Sequence, residues 1–353
     1  MKRSSRYIAS PLYDCIFFIG SPLIGMVIAF LVWLRWLPNH EVSFAESSGP
    51  LITLLVLVMF TQAHLFIVFF RSHLNTSIFS QYPFRFIGIP LILLAGCYMS
   101  QWFLVSLIII NIWWDVYHSS LQTFGFARIY DALAGNMGKS SRNWDYGMNL
   151  VIYMGPLLSG ALFMDHVGEL HQFSSVGSAL LTSIPFYIST KTRLISLIVS
   201  GFSIVFMLMY VMAYYRLYKK GYSVSIQKIV LMVSTLICSI FAWGFNGFGM
   251  GFVIMNFFHA TQYFAIIYWY EKDTIIQKFR LRNIPFPQIG ALLIIISAGI
   301  GFDTIMATHI APIDGGKLTI AVLTTVATLH FWYDGFVWSV KSLYSGSKIS
   351  GIA

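Results

Sequence analysis

The chain has 353 residues, 57% of them hydrophobic and only 10% charged, with a net charge of +9; soluble domains carry about a quarter charged residues. This composition excludes a soluble α/β enzyme, which needs strand-length apolar runs broken by turn residues. It also removes nucleic acid as the reason for the basic charge, because the bases gather in particular loops between apolar runs.

Those runs recur along the whole length at about the ~20 residues that a bilayer requires. They predict an all-α, polytopic integral membrane bundle of about ten transmembrane helices, organised as a single domain over residues 1–353. The first run covers roughly 12–37; Lys2, Arg3 and Arg6 precede it, and its length marks an uncleaved span rather than a signal peptide. The second lies near 50–70, and a short third near 84–99 meets the fourth, 102–127, at Gln101. The fifth runs about 147–164, and a polar loop to about 193 follows, with Ile184–Ile188 placed on the surface. The sixth, seventh and eighth lie near 194–217, 226–243 and 250–270, and the last two near 287–307 and 317–340. Between the seventh and eighth, the glycine-rich segment from Trp243 to Gly251 reads as a tight turn; a broken helix lining a cavity is the sharper alternative. Cys15, Cys97 and Cys238 form no CxxC pair, so neither a disulfide framework nor a zinc knuckle is expected.

Loop charge tests the topology. Bases cluster after even-numbered runs (Arg71 and Arg85; Arg128, Lys139 and Arg142; Arg216, Lys219, Lys220 and Lys228; Lys272, Lys278, Arg280 and Arg282; Lys341 and Lys348). The alternate loops hold Glu41, Glu46, Asp165, Glu169, Asp303 and Asp314, with few bases. By the positive-inside rule, both termini are expected in the cytoplasm, as in a bacterial inner-membrane protein.

The stretch from Trp113 to Asp131 closes the fourth apolar run yet carries Asp115, His118, Gln122, Arg128 and Asp131. On a helix, Asp115, His118 and Gln122 share a face, and polar groups inside a span are costly enough to point to function. Arg128 and Asp131 read as an ion pair, with a bound anionic head group as the alternative. His64 lies seven residues before Arg71, His118 ten before Arg128, His259 twelve before Glu271 and His330 eleven before Lys341. At ~1.5 Å per residue, these four histidines on four parallel spans fall at one depth in the inner half of the bilayer. Each has polar company: Gln62 near His64, Asp115 and Gln122 around His118, Thr261 and Gln262 after His259, and Asp334 four residues past His330. The segments His118 to Asp131 and His259 to Glu271 also resemble one another, a hint of duplication. Imidazole is a common metal ligand, so His64, His118, His259 and His330 are candidate ligands, with Asp115, Asp334, Gln122 and Gln262 as candidate orienting or catalytic groups. His73 is a rim ligand or a solvated residue; His40, His166, His171 and His309 fall on the opposite side.

The pieces His118…Gln122…Gly125…Arg128…Tyr130 and His330-Phe-Trp-Tyr-Asp334-Gly335…Trp338 look like segments of uncharacterised bacterial multi-span membrane proteins. The histidine-bearing bundle is similar in kind to membrane non-haem iron oxygenases, including desaturases, hydroxylases and bacterial carotene-cleaving dioxygenases. The HxxxH and HxxHH boxes of desaturases are absent, with one histidine per helix instead. Resemblance to the carotene-cleaving enzymes implies one iron held by histidines alone.

The leading expectation is therefore a membrane metalloenzyme, iron-dependent and oxygen-using, acting on a lipid-soluble substrate that enters from the bilayer. A proton-coupled transporter is the second reading, using intramembrane His and Asp together with Asp14, Arg35 and Asn111. A haem-binding electron carrier with two axial histidines is the third. No motif identifies a protein partner.

Overall fold

The computed structural model describes residues 6–33, 60–136, 141–160, 167–246 and 248–338. Much of the first two expected spans lies outside them, as do Lys2, Arg3, Arg35, His40, Glu41, Glu46, Lys139, Asp165, His166, Lys341 and Lys348. The described residues are helical, with no strand among them.

The principal helices in chain order are α1 (Pro11–Ile19), α2 (Ser21–Trp33), α3 (Phe60–Ser72), α4 (Pro83–Met99), α5 (Gln101–Leu133), α6 (Arg142–Ser159), α7 (Thr192–Lys219), α8 (Ile226–Phe245), α9 (Phe248–Lys278), α10 (Pro287–Ile305) and α11 (Lys317–Val337). Among the described residues, α5, α7, α8, α10 and α11 are long and apolar enough to cross a membrane. The pair α1 and α2 adds a sixth candidate if it is one span bent by 52°. The bend follows a π-helical turn over Asp14–Ile19 and Gly20, where helical hydrogen bonding is interrupted.

Local chemistry sets the ends. The Ser100 hydroxyl accepts from the Phe103 amide at the start of α5, and the Ser225 hydroxyl accepts from the Lys228 amide at the start of α8. The Asp314 carboxylate accepts from the Leu318 amide at 2.9 and 3.1 Å as α11 begins, after Gly315 and Gly316 turn through positive φ. At the glycine-rich segment α8 and α9 approach closely: a Cβ on Gly251 would sit 2.8 Å from the Ala242 carbonyl. In the 165–193 loop, the short helix Ser183–Ser189 leaves Ile184, Phe186, Tyr187 and Ile188 exposed, as the sequence implies.

Four helices surround the centre. α3 packs on α9 and α11, and α5 packs on α11 and, more lightly, on α9. α10 backs α3 closely, since a Cβ on Gly299 would come within 2.7 Å of the Ala63 Cβ. α4 covers α11, α2 and α8 cover α9, and α6 joins α5 to the outlying α7, whose apolar window has none of its residues buried in the molecule.

Candidate metal centre

The four helices α3, α9, α5 and α11 each bring one histidine to the point where they meet. His64, His259, His118 and His330 are 2%, 1%, 4% and 0% exposed, so each ring is removed from water. Their rings form a closed quadrilateral: His64 to His259 5.1 Å between centroids, His259 to His118 5.0 Å, His118 to His330 4.9 Å and His330 to His64 5.1 Å. The His259–His330 diagonal is 6.4 Å. The order of the rings repeats the packing order of the helices.

Those distances can be compared with what an ion requires. A metal–nitrogen bond of about 2.1 Å plus a ring radius of about 1.2 Å puts an imidazole centre about 3.3 Å from its ion, so two rings on one ion stand about 4.7 Å apart at a right angle and about 5.4 Å apart at the tetrahedral angle. All four sides of the quadrilateral lie between these limits. Ring nitrogens of His64, His259 and His330 lie within 4.8 Å of one another, and so do ligand atoms of His118, His330 and Asp334. The chemistry of the nitrogens agrees with the geometry. His118 Nε2 and His259 Nε2 are buried without a hydrogen-bond partner, a costly condition that a bound cation would relieve.

Of the candidate carboxylates, only Asp334 reaches the rings. Its Oδ2 lies 3.6 Å from His118 Nε2 and 3.9 Å from His330 Nε2, just beyond hydrogen-bonding distance. Its Oδ1 accepts a hydrogen bond from Tyr263 Oη at 2.8 Å. Asp115 is buried one turn from His118 and instead accepts from Asn256 Nδ2 at 2.9 Å. The two glutamines meet each other: Gln122 Nε2 donates to Gln262 Oε1 at 2.9 Å and to the His259 carbonyl at 3.1 Å, while Gln262 Nε2 donates to the Phe18 carbonyl at 2.7 Å. They bind α5, α9 and α1 together below the rings without touching a ring nitrogen. Their meeting pairs corresponding positions of the two similar segments.

The other described histidines lie elsewhere. His73 is neither a rim ligand nor solvated: its ring is partly buried, with Nδ1 2.7 Å from the Ser72 hydroxyl and Nε2 3.0 Å from the Phe86 carbonyl. His171 stacks on Phe186, and His309 Nδ1 is 2.6 Å from the Thr308 hydroxyl.

Two buried charge clusters flank the centre, and the sequence discloses only part of each. Arg128 donates to Asp131 at 2.9 Å, so the ion-pair reading holds, and also to Asp145 at 3.0 Å. Lys228 sits between the same carboxylates, 2.8 Å from Asp131 and 3.3 Å from Asp145. Loop counting places Lys228 among the bases of a cytoplasmic loop; at 1% exposure it is buried, a second cation beside Arg128 at this site. Tyr222 Oη donates to Asp131 at 2.6 Å, and Tyr210 and Tyr214 donate to Asp145. Burial, with the Asp131 hydrogen bond, pushes the Tyr222 phenol up, which keeps it a donor. On the other flank, Arg71 pairs with Glu271, which also accepts from Asn75 Nδ2, and its guanidinium lies 4.5 Å from the Trp338 ring centre.

Compared with protein-family models, curated proteins and solved structures, the chain matches none of them.

Proposed function

We propose that this chain is a membrane-embedded, metal-dependent oxygenase, with a non-haem iron held by His64, His118, His259 and His330 and a lipid-soluble substrate. The observation that carries the reading is the closed quadrilateral of buried imidazoles, with ring nitrogens of His118 and His259 left without hydrogen-bond partners. An iron in this position supplies the activation of dioxygen. The protein's own part is to fix the rings from four separate helices, to keep water away, and to hold a carboxylate, Asp334, beside His118 and His330. Gln122 and Gln262 set the approach of α5 to α9, and Asp115 with Asn256 braces those same two helices. The long apolar helices support a bilayer location, here the inner membrane of a bacterium with about ten spans and both termini cytoplasmic, from which an apolar substrate enters sideways.

Metal analysis and an absorption spectrum on detergent-purified full-length protein test the proposal. About one iron per chain without a Soret band is expected, with His118→Ala and His330→Ala each losing most of it while remaining folded. A Soret band would replace this reading with a haem carrier. A well-folded protein with neither metal nor colour would leave transport as the function to pursue.

A further inference from the structure

Asp334 and Tyr263 form an arrangement that four metal-binding histidines do not by themselves require. Tyr263 is 1% exposed and stands one turn beyond His259 on α9, its ring 4.6 Å from that of His330 and 6.2 Å from that of His64. A phenol buried among apolar and imidazole rings needs an acceptor. It finds one on another helix, the Oδ1 of Asp334. Fixing one carboxylate oxygen leaves the other directed at the histidines, 3.6 Å from His118 Nε2 and 3.9 Å from His330 Nε2.

We infer that Asp334 is a fifth, anionic ligand of the centre and that Tyr263 is the positioning residue that aims it. The inference rests on the metal reading above and deepens it. A neutral imidazole cage around a divalent ion leaves two positive charges in a medium where charge is poorly screened; one inner carboxylate halves that excess. Oδ2 stands beside both ring nitrogens, where an ion that they shared would meet it. Tyr263 limits rotation of the carboxylate by holding Oδ1, as partners of metal-bound carboxylates generally do. Asp115, the other carboxylate near a histidine in the sequence, is committed to Asn256 and takes no part.

Cobalt(II) is the probe, titrated into metal-free full-length protein in detergent, with affinity and visible absorption as readouts that need no turnover. The wild type should give the weak visible bands of a five-coordinate ion. Asp334→Asn keeps the shape and the acceptor for Tyr263 but removes the anionic oxygen, and should give the several-fold stronger bands of a four-coordinate ion. Tyr263→Phe should bind cobalt about 10- to 100-fold more weakly, with a spectrum shifted towards that of Asp334→Asn and an unchanged melting temperature of the metal-free form. A wild-type spectrum in Asp334→Asn would overturn the fifth ligand. Unchanged affinity and spectrum in Tyr263→Phe would overturn the positioning role, and should that variant not fold, Asp334→Asn alone still decides the carboxylate. Failure of the wild type to bind cobalt or iron would instead overturn the metal centre itself, a result distinct from either variant outcome.

Discussion

Asn256 shows how much a single residue can carry inside this bundle. Its amide donates to Asp115, a carboxylate that is 6% exposed on the helix that also holds His118. Truncation by Asn256→Ala leaves Asp115 buried without that donor, a loss of about 3 kcal/mol. Replacing both partners with leucine removes the polar demand altogether and should return much of the stability, since matched removal is far cheaper than an orphan. Denaturant titration of the two variants checks this: a double variant as unstable as the single one would show that Asp115 has a role beyond pairing with Asn256. The same logic separates the two carboxylates in kind. Asp115→Asn should change stability and leave metal content near one ion per chain, whereas histidine replacements should empty the site with little change in folding.

At the scale of helices, the distances that matter are set by small residues. Gly299 lets α10 lie against Ala63, the residue next to His64. Gly299→Val should cost about 1–3 kcal/mol by overpacking, and it should weaken metal binding by displacing α3. Adding Ala63→Gly should restore part of both losses; a measured affinity unchanged in Gly299→Val would show that α3 can shift without moving His64. This level also shows what the sequence discloses. The common depth of His64, His118, His259 and His330 is readable because a helix rises by a fixed ~1.5 Å per residue. Their cyclic order is not, because nothing local to α3 says that its neighbours are α9 and α11. Asp115 and Asp334 look alike in sequence, each about one turn from a histidine, and only the facing helix decides between them: Asn256 meets one, Tyr263 meets the other. Lys228 misleads for a related reason, since a basic residue at the mouth of an apolar run reads as a loop base until Asp131 and Asp145 are brought beside it. Asp14 and Asn111, which the transporter reading enlists, are both used locally. Asp14 accepts from the Ile8 and Ala9 amides and from Tyr130, and Asn111 ties α5 to Thr328 of α11.

Across the whole molecule, charge is conserved within each buried cluster: Arg128 and Lys228 face Asp131 and Asp145, and Arg71 faces Glu271. Lys228→Met should destabilise the protein by about 3–5 kcal/mol, because it leaves two buried carboxylates with one cation; a melting temperature equal to that of the wild type would show that water reaches Asp131 and Asp145. The ring of α3, α9, α5 and α11 has a different kind of consequence, one in time. Its corners come from positions 64, 118, 259 and 330, so of the four adjacent pairs only His118 and His259, on α5 and α9, follow one another in chain order. During synthesis, three corners are made before the fourth, on α11, is translated. Until α11 arrives, the three imidazoles lack their last neighbour and Asp334 does not yet exist. The quadrilateral of rings is thus completed late, when α11 joins the other three helices, and a chain that stops short of α11 has most of its described helices but not the closed ring.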